Sequence, residues 1–279
     1  MMIRYQQEFT TPLSTSGFDI NTAISLALVC DLAYKNEDVV RAQANHWGYP
    51  KTEFISKRKG QDIDTQALIL ADDEHIVVAF RGSDSPMDWL ANFQAVRDPG
   101  PFSDSLVHEG FQDSLVPALI AITNAIDKLR TNEQAIWLTG HSLGGAQAAL
   151  YAGMLIENGY SVDGLYTYAS PRPGNKRFCH QLNEKISGPN FRLVNKGDLV
   201  PHVPPEPFFN HVGKRKILRQ THVEDTDASW LEQRLEALKH FVDVTTDSFD
   251  VADNHRLSRD PENSYIPRLL ALRDTRQYY

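Results

Sequence analysis

AIWLTGHSLGGAQAAL, residues Ala135 to Leu150, joins a short apolar run to an Ala-rich stretch through a serine flanked by glycines. Ala135–Thr139 has the length and apolarity of a buried strand, and Gly144 onward is rich in good helix formers. Between them, Gly140-His141-Ser142-Leu143-Gly144 is a G-x-S-x-G pentapeptide at a strand-to-helix junction. So sharp a turn strains its central residue, and glycine two positions to either side lets neighbouring backbone pass close by. The hydroxyl is lifted above the sheet while the free N–H groups of the helix start point at it. The spacing predicts Ser142 as a nucleophile. The plainer alternative is a glycine-rich turn that only closes a βα unit. A phosphate loop is excluded, because no Gly-Lys-Ser/Thr follows the glycines.

On either side of this stretch the pattern alternates strands with helices. Asp19 reads as an N-cap, and Ile20, Ala23, Ile24, Ala27, Leu28 and Tyr34 predict a mostly buried first helix. Residues 36–60 read as polar and irregular. Ala67–Leu70 and His75–Phe80 are β runs joined by Ala71-Asp72-Asp73-Glu74, a hairpin signal. The apolar spacing of Leu115, Leu119, Ile122, Ile126 and Leu129 predicts a helix over Gln112–Arg130. Gly164–Ala169, Phe191–Asn195 and Val212–Arg219 read as later strands. Phe178, Leu182 and Ile186 mark a short helix, Ala228–Val242 a longer one, and Ile266–Arg273 a turn or two more. With no repeat or linker, this predicts one α/β domain over 1–279, its central sheet largely parallel with helices on both faces.

Composition narrows the classes of partner. The 279 residues are 41% hydrophobic and 23% charged, with a formal net charge of −8. That excess of acid argues against nucleic acid and anionic membrane surfaces as electrostatic partners. Cys30 and Cys179 are too few for a disulfide framework and sit in apolar helical patterns, so buried free thiols are expected. The apolar run around Ile24–Cys30 is far too short for a transmembrane segment. The N-terminus lacks the charged-then-apolar pattern of a leader, and the expected location is cytoplasmic. No His, Cys or carboxylate spacing predicts a metal site, and no cofactor is expected. Nothing in the pattern speaks to oligomeric state.

A serine hydroxyl needs a base within hydrogen-bond reach and an acid to orient that base. Asp198 follows the strand Phe191–Asn195 directly, in a Gly-Asp turn, where a catalytic carboxylate is at home and an ordinary turn residue would be too. Five histidines come later in the chain: His202, His211, His222, His240 and His255. The residues alone leave both His222 and His255 open as the base. The amide of Leu143, next after the nucleophile, is one expected oxyanion donor, and Ser83, after the strand Ile76–Phe80, is the second.

Several ordered motifs together resemble the class 3, fungal-type triacylglycerol lipases, an α/β-hydrolase family. They are Phe80-Arg81-Gly82-Ser83, Val107-His108-Glu109-Gly110-Phe111, Thr139 to Ala146, Tyr168-Ala169-Ser170-Pro171-Arg172-Pro173-Gly174-Asn175, and Asp198-Leu199-Val200-Pro201. The resemblance implies a Ser142–Asp198–His255 triad, with Ser83 and Leu143 at the oxyanion hole. It also implies a short helical lid over 84–93. There Ser85 is placed to cap, Pro86 suits the first helical position, and Met87, Trp89, Leu90 and Phe93 make an apolar face. Ala169 stands where the family often has Gly. The implied activity is hydrolysis of acylglycerol or other carboxylic esters through an acyl-enzyme, with a lipid substrate and transient contact with a lipid interface. An aryl or feruloyl esterase, or a phospholipase acyl hydrolase, is the alternative within this fold. A lipid-binding relative without catalysis is the alternative of another class.

Overall fold

Strands β1 (Lys51–Lys59), β2 (Ile63–Ala71), β3 (His75–Phe80), β6 (Ala135–His141), β7 (Gly164–Tyr168), β8 (Asn190–Asn195), β9 (Lys214–Leu218) and β10 (Val223–Glu224) form one eight-stranded sheet in that order. A computed structural model describes residues 5–59, 63–83, 94–219, 223–224, 253–259 and 262–276. From β3 to β9 every neighbouring pair is parallel. The β1–β2, β2–β3 and β9–β10 pairs are antiparallel. A separate ribbon pairs β4 (Arg97–Pro99) with β5 (Leu106–His108).

The central strands are apolar on both faces because helices cover both, as a parallel sheet requires. Alternation along β3 and β6 divides the core in two. Ile76, Val78, Phe80, Ile136 and Leu138 face α3 (Glu109–Leu129), α4 (Leu143–Glu157) and α5 (Lys176–Lys185). Val77, Ala79 and Trp137 face α1 (Ile20–Leu32) and α6 (Tyr265–Arg276). Leu115, Ile122 and Ile126 of α3 are fully buried, and each such side chain contributes roughly 1.5–3 kcal/mol. α1 and α4 are buried almost all round.

Asp19 caps α1 through the Thr22 amide at 2.6 Å, as its sequence position predicts. Tyr34 lies just past the end of this helix, in the turn that closes on Asp31. The stretch over 36–60 departs from expectation. It holds α2 (Glu37–His46), capped by Asn36, and the long edge strand β1. Both elements are polar on their outer side, which dilutes the periodicity that would have disclosed them. The region predicted to be a helix over 228–242 and the expected lid over 84–93, with Met87, Trp89, Leu90 and Phe93, lie outside the described residues. Cys30 and Cys179 are buried free thiols. Among the described residues no helix is long and apolar enough to cross a membrane.

Candidate active site

The parallel registers bring several strand ends to one edge of the sheet: Phe80 pairs with Gly140, His141 with Tyr168, and Tyr168 with Leu193. Loops leaving these ends meet above the sheet, where open α/β sheets place ligands. Ser142 occupies the turn between β6 and α4 with φ 58° and ψ −131°, a backbone conformation that costs a non-glycine residue roughly 1–3 kcal/mol. The surroundings impose it. The Ser142 amide donates to the Tyr168 carbonyl and its carbonyl accepts from the Gly145 amide, both at 2.9 Å. A Cβ on Gly140 would collide with the Gly144 carbonyl, and one on Gly144 with that of Phe80. Glycine at those two positions is therefore a packing requirement.

Three side chains distant in sequence converge on this turn. His255 Nε2 lies 3.0 Å from Ser142 Oγ, and its Nδ1 lies 3.0 and 3.2 Å from the two carboxylate oxygens of Asp198. Asp198 is buried and accepts two further bonds, from the Val200 amide at 3.0 Å and from the Tyr265 hydroxyl at 2.7 Å. Burial and the charge of Asp198 push the Tyr265 pKa well up, so the phenol stays a donor. A carboxylate acceptor fixes the hydrogen of a neutral His255 on Nδ1, leaving Nε2 bare toward the serine hydroxyl.

The segment carrying His255 is held at two points. Asn195 Nδ2 donates to the carbonyls of Asn254 and Asn263 at 2.8 and 2.9 Å. Arg268, on α6, donates to the side-chain oxygens of the same two residues at 2.7 and 3.0 Å. Of the other histidines, His211 uses Nε2 on the Pro201 carbonyl at 2.8 Å, and His202 sits in a 3-10 turn. His222 and His240 lie outside the described residues.

The expected oxyanion donors flank the serine. Leu143 is the first residue of α4, where an amide has no partner within the helix. Ser83 follows Gly82, whose backbone packs on the nucleophile turn: a Cβ there would lie 3.0 Å from Ser142 Cβ. Ala169, on the next strand end, takes φ 53°. A side chain at that φ thus burdens the backbone. Sequence reasoning passed over His141 and Tyr34. His141 is buried beside His255 with ring centroids 4.8 Å apart, and burial, then His255, push its pKa down to about 3. Its place as a variable position of the pentapeptide hid it.

A family model for class 3 lipases matches residues 77–208. A lipase from Rhizomucor miehei is 38% identical over 164 residues, covering 54% of this chain and 44% of that protein. The secreted mono- and diacylglycerol lipase 1 of Fusarium solani is 34% identical over 191 residues, covering 64% and 57%. The chain thus spans about half the length of these two relatives. A solved triacylglyceride lipase of Rhizomucor miehei superposes with a TM-score of 0.58 at 27% identity, covering 70% of this chain and 78% of that one. The expectation of a cytoplasmic location is overturned, since the Fusarium relative is a secreted enzyme. An export signal is a segment separable from the folded domain, so core patterning and composition keep no record of compartment.

Proposed function

We propose that this chain, which is similar to the class 3 lipases over residues 77–208 and to fungal lipases beyond them, hydrolyses the carboxylic esters of acylglycerols through Ser142, His255 and Asp198. The observation that carries the reading is the unbroken line of hydrogen bonds from Asp198 through His255 to Ser142 on a strained strand-to-helix turn. Ser142 Oγ attacks the ester carbonyl carbon as His255 Nε2 takes the hydroxyl proton. The tetrahedral oxyanion accepts from the amides of Leu143 and Ser83, each donor typically worth about 2.7–4 kcal/mol of barrier. His255 returns the proton to the leaving alcohol, and the C–O bond breaks to give the acyl-enzyme. Water then repeats the sequence and releases the acid. Asp198 keeps the imidazole oriented and stabilises its cation throughout.

The acylglycerol substrate rests on the relatives, a mono- and diacylglycerol lipase and a triacylglyceride lipase. Residues 84–93 are proposed as the lid, with Met87, Trp89, Leu90 and Phe93 as its apolar, substrate-facing side. Two large apolar side chains support contact with a lipid surface nearby. Val96, just beyond that segment, is 44% exposed and Phe208 is 56% exposed. Arg97 lies over the Phe208 ring at 5.5 Å and so joins the two.

The test is labelling with a fluorescent alkyl phosphonate, followed by hydrolysis of p-nitrophenyl esters and emulsified diacylglycerol. One label per chain on Ser142 with turnover of the emulsion supports the reading. No label and no turnover sinks it. Label with turnover of short aryl esters alone moves the assignment to an aryl esterase.

A further inference from the structure

His141 is the one side chain of the pentapeptide with a ring between two others of the site. Its centroid lies 6.1 Å from that of Tyr34 and 4.8 Å from that of His255. Nε2 is 2.7 Å from the main-chain oxygen of His255, and Nδ1 is 3.0 Å from the Tyr34 hydroxyl. That hydroxyl in turn is 3.0 Å from the amide nitrogen of Gly82.

Elementary donor and acceptor rules orient the protons along this chain. A carbonyl only accepts, so Nε2 of His141 carries the hydrogen. Burial keeps the ring uncharged, so Nδ1 is bare and receives the Tyr34 proton. The phenol oxygen is then left to accept from the Gly82 N–H. One further contact and one close approach mark the same loop. The Arg81 guanidinium lies 5.2 Å from the centroid of the Tyr34 ring. A Cβ on Gly82 would sit 2.6 Å from the His141 carbonyl oxygen and 2.7 Å from the Tyr34 hydroxyl. The main chain next to Ser83 is thereby linked, through two side chains, to the main chain of His255.

Resting on the reading of this site as an ester hydrolase, we propose that Tyr34 and His141 are positioning residues that brace the oxyanion-donor loop against the general base. During turnover His255 gains and loses a proton while its partner at Nε2 changes from Ser142 Oγ to the leaving oxygen and then to water. Asp198 steadies the ring, and the brace steadies the backbone that carries it. The donor at Ser83 and the base at His255 must reach one tetrahedral centre from two directions. Misplacement by about 1 Å can cost on the order of 100-fold in rate.

The experiment compares kcat and KM on p-nitrophenyl butyrate for wild type, Tyr34→Phe, His141→Leu, His141→Gln and the Tyr34→Phe/His141→Leu double variant. Tyr34→Phe is expected to lower kcat about 10-fold and His141→Leu about 30-fold, with KM within about twofold. Because one chain is broken in both, the double variant falls within about threefold of His141→Leu alone. His141→Gln keeps an N–H for the His255 carbonyl and retains at least about threefold more kcat than His141→Leu. All variants still take one phosphonate label. Multiplying effects in the double variant, losses confined to KM, or unchanged kcat in the single variants each overturn the brace. If His141→Leu does not fold, the Tyr34→Phe and His141→Gln combination supplies the same comparison. A wild type that neither takes the label nor turns over ester overturns the reading of the site and the brace with it. An active wild type with indifferent variants overturns the brace alone.

Discussion

Tyr265 donates its phenolic proton to Asp198 Oδ2 at 2.7 Å and accepts the Asn195 amide at 3.0 Å. The first residue of α6 therefore joins the triad carboxylate to the strand that delivers it. Tyr265→Phe removes a hydrogen bond to a buried charged group, an interaction worth about 1.5–3 kcal/mol. Stability is expected to fall by that amount in urea melts, while kcat drops by about tenfold or less, since His255 and the Val200 amide still hold Asp198. A kcat loss near that of removing Asp198 itself would assign Tyr265 a larger share of the chemistry.

Ser142→Ala deletes the attacking oxygen from a turn held by backbone contacts. Ester turnover should drop by on the order of 10⁶ with the fold intact, as read by hydrolysis assays beside near-UV circular dichroism. Asp198→Asn keeps the shape but turns the His255 hydrogen to the wrong nitrogen, and should cost about 10⁴ in kcat. Near-normal hydrolysis by either variant would reject the mechanism.

Two buried imidazoles lower the stability of the fold in acid. Burial pushes the pKa of His108 down to about 4 and that of His141 to about 3. Each uses Nε2 on a carbonyl and Nδ1 as an acceptor, His108 from the Phe111 amide and His141 from Tyr34. The unfolded chain takes these protons near pH 6.5 and the folded chain refuses them. Stability is thus complete above about pH 6.5 and falls as the pH drops toward 4 and then 3, by about 1.4 kcal/mol per unit for each group. Urea midpoints between pH 7 and 4.5 should show this slope, and His108→Asn should make it shallower. An unchanged slope would remove His108 from the account.

Arg192 is a cation in a poor place. Its Nε has no hydrogen-bond partner among the described residues, and burial, then Arg215 and Arg172, pull its pKa down to about 9. The charged form is penalised in the fold at every pH below that value. Replacing such a group with an apolar side chain of similar length is often stabilising. Arg192→Met should raise the urea midpoint, by about 1 kcal/mol of stability or more. A lowered midpoint would mean that the charge is compensated.

Much of this architecture is written locally. The nucleophile turn, Asp198 and the hairpin of β2 and β3 are read from neighbouring residues, because strand ends, glycine spacing and turn chemistry are short-range. The hidden elements are of two kinds. α2 and β1 lie at the rim, where only one side is apolar and the periodic signal fades. The link between Tyr34 and His141 joins residues 107 apart in sequence. Tyr34 reads as one more apolar residue of α1 until the fold lays it against the loop after β3. The choice of His255 over His222 needed the family resemblance, since a late segment is placed against the sheet by packing rather than by spacing. Compartment was not legible at all.

The double clamp on the His255 loop has a consequence for biosynthesis. A ribosome finishes the nucleophile turn well before it makes the segment that brings the base, and Arg268 comes later still. On the proposed reading, a nascent chain has no base beside its serine until that later segment is made. On the proposed reading, placing the base depends on the segment around Arg268 docking against Asn254 and Asn263. A chain truncated before α6 would lose both the Arg268 bonds to Asn254 and Asn263 and the Tyr265 bond to Asp198.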